Sequence, residues 1–405
     1  MKPWRVVAWF GVVSLAADMV YEGARSVTGP YLASLGASAL VVGLVTGAGE
    51  AAALGFRLFS GPLADRSGRY WSWTVAGYAM TVVCVPLMAV APFVGAAGAA
   101  VASVLVVLER TGKAVRSPSK SVLLADAART VGRGRGFAVH KALDQVGAFA
   151  GPLLVAGLLA LTGATWPGLA ALAIPGVVAM TLLLRLRVAL TAPLAMTGPR
   201  PHVDDVPDGP LPRSFHLLTV SCALATFGLL TFGVLSFHLV QDGLLDVAWV
   251  PVVYAAAMGV EAVSALATGF VFDRIGGRTL LVLPLLVGLV PFLAFSSTAA
   301  VAVAGILVWG LATGILDSTV KALVAETVPR SRLGTAYGAF AAVQGVAALA
   351  GGGVAGWLYA HGRLPIVTVV GVAQLAALVL LVSALRSPAR PQRPLLARHH
   401  RTGTG

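Results

Sequence analysis

The chain has 405 residues, 58% of them from the apolar set AVILMFWYC and 11% charged, with a mean hydropathy of +0.87. Soluble domains carry about 45–50% apolar and about 25% charged residues, so these proportions exclude a solvated globular surface and leave an integral membrane protein. The basic excess, 29 Lys plus Arg against 16 Asp plus Glu for a net charge of +13, would suggest nucleic acid in a soluble chain; membrane topology explains it better here, and no nucleic-acid partner is expected.

A helix needs about 20 residues to cross the hydrocarbon core. Apolar stretches broken by Gly, Pro or charge predict twelve spans, near 5–27, 38–59, 71–92, 98–123, 136–160, 166–187, 214–239, 248–272, 278–296, 299–325, 334–360 and 364–386. The opening MKPWRVVAWF lacks a small-residue cleavage site, so no cleavable signal peptide is expected.

Charges inside spans need a partner or a role, because one at the bilayer centre costs about 2.5–3.5 kcal/mol. In the first span Asp18, Glu22 and Arg25 stand at i, i+4 and i+7, within roughly a 60° arc at about 100° per residue, and so share a stripe expected to face a cavity. Glu22 and Arg25 are close enough to pair on the helix surface. Asp18, a turn deeper, is left seeking a proton or a partner. A carboxylate in such a setting binds or releases a proton as its access to water changes, which is the basis of proton coupling. The competing reading is that Asp18 only neutralises a cation on another helix.

The second span carries Glu50 and Arg57 on one face, about 10 Å apart along the axis and too far for a direct bond. Arg57 is expected to snorkel to the surface. Glu50, among small residues in GAGEAAALG, is either a cavity residue or a packing hydrogen bond. The fourth span holds Glu109, Arg110, Lys113, Arg116 and Lys120. Lys113, Arg116 and Lys120 share a narrow stripe facing protein or water, open to an anionic substrate, to the acids of the first span, or to the loop at Asp65. In the fifth span His140, Asp144, Gly147 and Gly151 fall on one stripe with Pro152 beside it, a polar head above a small-residue groove. His140, near the helix end, is expected at the surface.

The Pro- and Asp-rich stretch from 188 to 213 reads as a linker between a first bundle, 1–187, and a second, 214–386, with a disordered basic tail over 387–405. In the second half Glu261 lies near the counterpart of Glu50, Asp317 and Lys321 are spaced to neutralise each other, and His238 is expected in water at a span's outer end. Basic residues such as Arg66, Arg69, Arg129, Arg185, Arg274 and Arg386 fall on one side, which the positive-inside rule makes cytoplasmic together with both termini. Cys84 and Cys222 form no pair or cluster, and the histidines and acids show no metal-ligand spacing.

The halves repeat. Gly61-Pro-Leu-Ala-Asp65-Arg66-Ser-Gly68-Arg69 recurs as Gly269-Phe-Val-Phe-Asp273-Arg274-Ile-Gly276-Gly-Arg278, a shift of 269 − 61 = 208. Downstream, Asp126 and Glu326, Gly134 and Gly334, and Gly151 and Gly351 keep a shift of 200. Shared charged and Gly landmarks across separate segments mark two structural copies.

The loop between spans two and three, GPLADRSGRY, resembles the G-x-L-a-D-R-x-G-R-(K/R) signature of the major facilitator superfamily, departing only at Tyr70. With its second copy, the resemblance covers nearly the whole chain. It implies two pseudo-symmetric six-helix bundles around a central cavity, alternating between inward-open and outward-open states. It also implies that the loop, Gly61, Asp65, Arg66, Gly68 and Arg69 with Asp273 and Arg274, latches the cytoplasmic side. Arg116 and Lys120 are candidates for that clasp. Multidrug antiporters of the family often carry acids in the first span, so Asp18 and Glu22 resemble coupling residues. Arg110 matches the basic position of the family's fourth-span pattern, although the Gln is missing there. Gly147, Gly151 and Pro152 match the export-associated pattern g-x-x-x-G-P-x-x-G-G, whose last glycines are Val155 and Ala156 here.

The expectation is a secondary active transporter, not an enzyme, exporting a small organic molecule such as a drug or metabolite in exchange for protons. It would act as a monomer in the cell membrane, with lipid around it and no cofactor. Arg25, Glu50, Lys113, Arg116, Asp144, Glu261 and Asp317 are the expected cavity residues. The alternative is a proton- or ion-coupled importer or facilitator using Arg25, Lys113 and Arg116 for an anionic solute. No GxxxxGK[ST] loop occurs, which disfavours ATP-driven transport.

Overall fold

The computed structural model describes residues 3–129, 131–190, 211–329 and 332–386; most of the linker and the tail lie outside these residues. Helices dominate. In the first half the spans are Trp4–Arg25, Ala39–Ser67, Tyr70–Met88, Gly95–Ala127, Arg135–Thr162 and Thr165–Ala189. In the second they are Arg213–Gln241, Val247–Ala294, Ala299–Thr327, Leu333–Tyr359 and Arg363–Arg386. The segment Val247–Ala294 has 48 residues, more than twice what one crossing needs. Gly276, at φ +60, ends the helix Val250–Ile275 and divides that segment into two crossings, giving twelve spans among the described residues. Gly68, at φ +63, closes the helix Arg57–Ser67 in the same way. The two glycines are related by the repeat shift, and both sit in the left-handed region that residues with a Cβ avoid.

Apolar side chains point outward as well as inward: Leu161 is 84% exposed and Leu364 75%, a surface suited to lipid and not to water. Inside each half the helices approach through small residues. A Cβ on Gly151 would strike the carbonyl of Met19, packing span five on span one, and a Cβ on Gly351 would strike that of Phe227, packing span eleven on span seven. The repeat shifts connect Gly151 with Gly351 and Met19 with Phe227, so the copies are alike in packing as in sequence.

The halves meet most extensively where span two runs along span eleven, from Gly43 against Gly352 to Leu58 against Gly338. At the end remote from residues 3 and 386, here the far end, Phe237, Val247, Ala248 and Tyr359 of the second half join a core of Val20, Val27, Tyr31 and Leu32 from the first. That apolar plug joins the bundles there. At the opposite end the cluster of Val6, Val7, Phe10, Leu123, Leu124 and Leu186 belongs to the first half alone.

Two histidines differ from expectation. His238 is buried rather than wet: Nε2 lies 3.1 Å from the carbonyl of Ser296, and Nδ1 lies 3.2 Å from Tyr359 Oη and 3.4 Å from Asp242 Oδ2. The loop after span seven turns Asp242 back over the helix end, which shields the ring. His140 is likewise buried, with Nδ1 3.6 Å from Asp144 Oδ1, because its helix begins well before it at Arg133 and carries it inside the bundle.

Candidate functional site

Span seven is discontinuous. The helix Arg213–Leu229 stops at Leu230, which adopts φ +61 and ψ 165, and a second helix, Phe232–Gln241, starts after Thr231. A non-glycine residue in that conformation costs on the order of 1–3 kcal/mol and persists only where its surroundings hold it. Leu230 is buried, and Trp309 Nε1 donates to its carbonyl at 3.3 Å. Across the halves, the Oγ1 atoms of Thr231 and Thr46 are 2.7 Å apart. The Thr231 side chain accepts from no backbone N–H of the new helix.

The break faces a small cavity between the bundles, with Thr231, Phe232 and Gly233 on one side and Tyr21, Arg25, Glu50, Glu109 and Arg110 on the other. Span one presents Tyr21, Ala24 and Arg25 to it from its last turns, and Thr28 follows at the start of the short helix Thr28–Ser34. The second half contributes aromatic surface: Phe232 lies edge-on to Tyr254, ring centroids 4.5 Å apart, and tilted to Trp309 at 5.8 Å. The ionisable groups come from the first half.

Those groups form a linked chain. Tyr254 Oη donates to Glu22 Oε2 at 2.5 Å, and Arg25 Nη1 lies 3.7 Å from the same oxygen. Arg25 Nη2 donates to Glu50 Oε1 at 2.9 Å, and Arg110 Nη2 stands 3.3 Å from that same atom. Arg110 Nε lies 3.9 Å from Glu109 Oε2; Thr81 donates to Glu109 at 3.2 Å and accepts from Arg116 Nη1 at 2.6 Å. Arg116 Nη2 ends the chain 4.0 Å from Asp18 Oδ1. Opposite charges in this sequence remove most of the cost of holding each one in a water-poor interior. One atom is left over: Arg110 Nη1 is buried without a hydrogen-bond partner. Aromatic faces take up remaining positive charge, with Arg110 Cζ 4.5 Å and Lys113 Nζ 3.6 Å from the Tyr21 ring centroid, and Arg116 Cζ 4.8 Å from that of Tyr78.

Of the expected site residues, the structure brings Arg25, Glu50 and Arg110 into the cavity wall with Glu22 just behind them. Glu50 makes ion pairs with two spans, beyond a packing contact. Lys113 lies behind Tyr21, and Arg116 is turned into the first bundle. Lys120 donates to Ser14 at 3.0 Å, so neither Arg116 nor Lys120 clasps the loop at Asp65. Asp144 lies off the cavity wall beside His140, where it also meets Lys120 and Ser14. Glu261 is half-buried and Asp317 exposed, both away from the wall, and the side chain of Lys321 lies outside the described residues. Asp65 lies in the last turn of the helix Arg57–Ser67 and not in a loop as expected, because the turn is made only at Gly68, and it accepts from Tyr70 Oη at 2.9 Å; the one position departing from the signature supplies its donor. Arg66, Arg69, Asp273 and Arg274 are exposed. Gly147 and Gly151 serve packing, each against a span-one carbonyl.

Sequence reasoning missed Tyr21, Thr46, Glu109, Thr231, Phe232 and Tyr254. Glu109 adjoins Arg110 and was legible as a charge; the hydroxyl and aromatic residues carry no signal that separates a cavity wall from a lipid face.

Among solved structures, nucleoside transporter NupG superposes with a TM-score of 0.68 at 14% identity, covering 95% of this chain and 98% of that one. A bacterial homologue of the iron transporter ferroportin in its inward-facing state gives 0.69 at 14%, covering 95% and 99%. A POT family transporter in complex with 5-aminolevulinic acid gives 0.72 at 11%, covering 94% and 95%. These likenesses establish the fold. In sequence, the chain is 53% identical over 394 residues to the uncharacterized proteins Mb2288 of Mycobacterium bovis and Rv2265 of Mycobacterium tuberculosis, spanning 96% of this chain and 94% of each of those. A family model described as Major Facilitator Superfamily matches residues 10–260 and again 217–403, which overlap and together take in both halves, and the chain therefore belongs to the major facilitator superfamily: it is a membrane transporter and not an enzyme.

Proposed function

We propose that the protein is a proton-coupled secondary transporter that exports a small organic molecule through the central cavity, from the cytoplasmic side where both termini lie. The observation that carries this reading is the position of Glu22, buried in span one with Tyr254 of the opposite half donating to it at 2.5 Å and Arg25 beside it. A hydrogen bond to a carboxylate is roughly twice as strong as one to a neutral acid. A proton arriving on Glu22 therefore loosens the tie between spans one and eight and weakens the hold on Arg25. Asp18, 4.0 Å from Arg116, is the second station, with Arg110 between them in the linked chain. Gly147 and Gly151, which pack against span one, and the adjacent Pro152 match the export-associated pattern, which supports the outward direction. The helix ends carrying Asp65 and Asp273 would latch the cytoplasmic end when it closes, the cell membrane being the site of action and a single chain the working unit.

The test uses proteoliposomes and a stabilising compound taken from a thermal-shift screen. Exchange predicts that an acidic lumen drives accumulation of the compound, and that Asp18→Asn ends this accumulation while counterflow without a pH gradient continues. Normal gradient-driven transport by both Asp18→Asn and Glu22→Gln removes the coupling assignment. Accumulation driven instead by an acidic exterior selects co-transport.

A further inference from the structure

We propose that the cavity seats the carboxylate of a small organic anion between the Arg110 guanidinium and the start of the second half of span seven. The inference rests on the reading that cargo occupies this cavity. Two independent features of the wall ask for negative charge at one place. Arg110 is 7% exposed, lines the cavity and has Nη1 buried without an acceptor. A buried donor left unmade costs about 1–3 kcal/mol, more when charged, and a ligand oxygen would recover it. Opposite stands the ten-residue helix Phe232–Gln241, whose first residues are also cavity wall and which has no side-chain cap, Thr231 being engaged with Thr46. The first N–H groups of a helix lack intrahelical acceptors and carry the positive end of its dipole, an arrangement suited to anions.

The surrounding charges agree. Glu50 Oε1 alone serves both Arg25 and Arg110. Lys113, three residues beyond Arg110, rests on the Tyr21 ring and has no ion-paired carboxylate among the described residues. Arg110 and Lys113 thus share one ring, Arg25 and Arg110 share one carboxylate oxygen, and Glu109 stands 3.9 Å from Arg110 Nε. Met88, Val106 and Phe232 give the wall an apolar side, the surface a hydrocarbon or aromatic body behind the carboxylate would meet. Glu50 already sits on Nη2 of the same guanidinium and repels a second carboxylate arriving at Nη1, so the charge of Glu50 opposes binding.

The experiment is equilibrium binding of benzoate, benzamide, benzylammonium and inorganic phosphate to the full chain in nanodiscs, at one pH and without any gradient. Benzoate is expected to bind at least about tenfold more tightly than benzamide or benzylammonium, the scale of a charge-assisted hydrogen bond, and more tightly than phosphate. Glu50→Gln, which keeps Arg110 and the side-chain shape, should tighten benzoate severalfold; Arg110→Gln should abolish the preference over benzamide. Equal binding of benzoate and benzamide, a preference for benzylammonium, phosphate binding as well as benzoate, or weaker benzoate binding in Glu50→Gln each overturns the proposal. Benzoate binding in a protein that ignores pH gradients defeats only the coupling scheme. Proton-driven transport of another compound without benzoate binding defeats only the anion seat.

Discussion

The hydroxyl of Tyr254 reaches across the two bundles to Glu22, 232 residues away in sequence, at 2.5 Å, and its ring stands edge-on to Phe232 at the cavity wall. One side chain thus fastens span eight to span one and backs the break in span seven. Tyr254→Phe keeps the ring contact and deletes the donor. The expected loss is about 1.5–3 kcal/mol, the range for a hydrogen bond to a charged group, and it falls on the far-end-closed arrangement. Labelling of Thr28→Cys, a buried cavity position, should speed up in the Tyr254→Phe background. The native Cys84 and Cys222 are 7% and 3% exposed and should stay silent, so the introduced thiol is read alone. Unchanged labelling would show that the bond does not govern closure.

The contact between Thr46 and Thr231, with 2.7 Å between hydroxyl oxygens, gives a direct way to freeze the two halves. Replacing both with cysteine brings two thiols within bonding range with little backbone movement. Oxidation should yield an intramolecular disulfide, seen as a gel shift after cleavage in the linker, and transport should stop until a reductant is added. Full transport by the oxidised double variant would mean that these residues do not separate during the cycle.

Much of the fold was legible because its causes are local. Hydropathy sets span length, Gly68 and Gly276 close equivalent turns, and the stripe of Asp18, Glu22 and Arg25 follows from helical spacing. Partner choice was not legible. Within its own span Glu50 had only the distant Arg57, whereas in the fold it takes Arg25 and Arg110 from two other helices. The break at Leu230 was hidden too: LLTFGV reads as one apolar run with no Pro, and the conformation is imposed by Trp309 and Thr46 from elsewhere in the chain. The buried histidines were misjudged for the same reason, since distance from a helix end says nothing of what a loop such as the one carrying Asp242 folds over it.

The seam between spans two and eleven depends on bare backbone. A Cβ on Gly352 would collide with the carbonyl of Gly43, and one on Gly356 with that of Ala39. Small residues at such positions let helices touch and replace a hydrophobic drive that lipid does not supply. Gly352→Leu is expected to separate the halves along this seam, lowering Tm in detergent by several degrees and speeding the labelling of Thr28→Cys. Gly371→Leu, at a glycine with open space around it, is the matched control and should leave both measurements near the parent values. Equal effects from the two substitutions would show that close approach at Gly352 is unimportant.

Tyr359 makes the corresponding tie at the far end. Its hydroxyl donates to Asp242 Oδ1 at 2.6 Å and lies 3.2 Å from His238 Nδ1, while its ring meets Phe237 edge-on with centroids 5.4 Å apart. Phe237 and Tyr359 both belong to the plug that joins the halves, so the polar contacts fix the orientation of a ring whose apolar face does the sealing. The two contributions separate by substitution. Tyr359→Phe should cost about 1–2 kcal/mol, leaving the seal intact but His238 and Asp242 without their shared partner. Tyr359→Ala removes the ring as well and should cost more, towards the roughly 3–5 kcal/mol seen for deleted core aromatics. Melting temperature reads the ordering, and labelling of Thr28→Cys reads the seal: slow in Tyr359→Phe, fast in Tyr359→Ala. Fast labelling already in Tyr359→Phe would place the closure in the polar triad instead of the ring, because the phenyl group alone would then be unable to keep the plug shut.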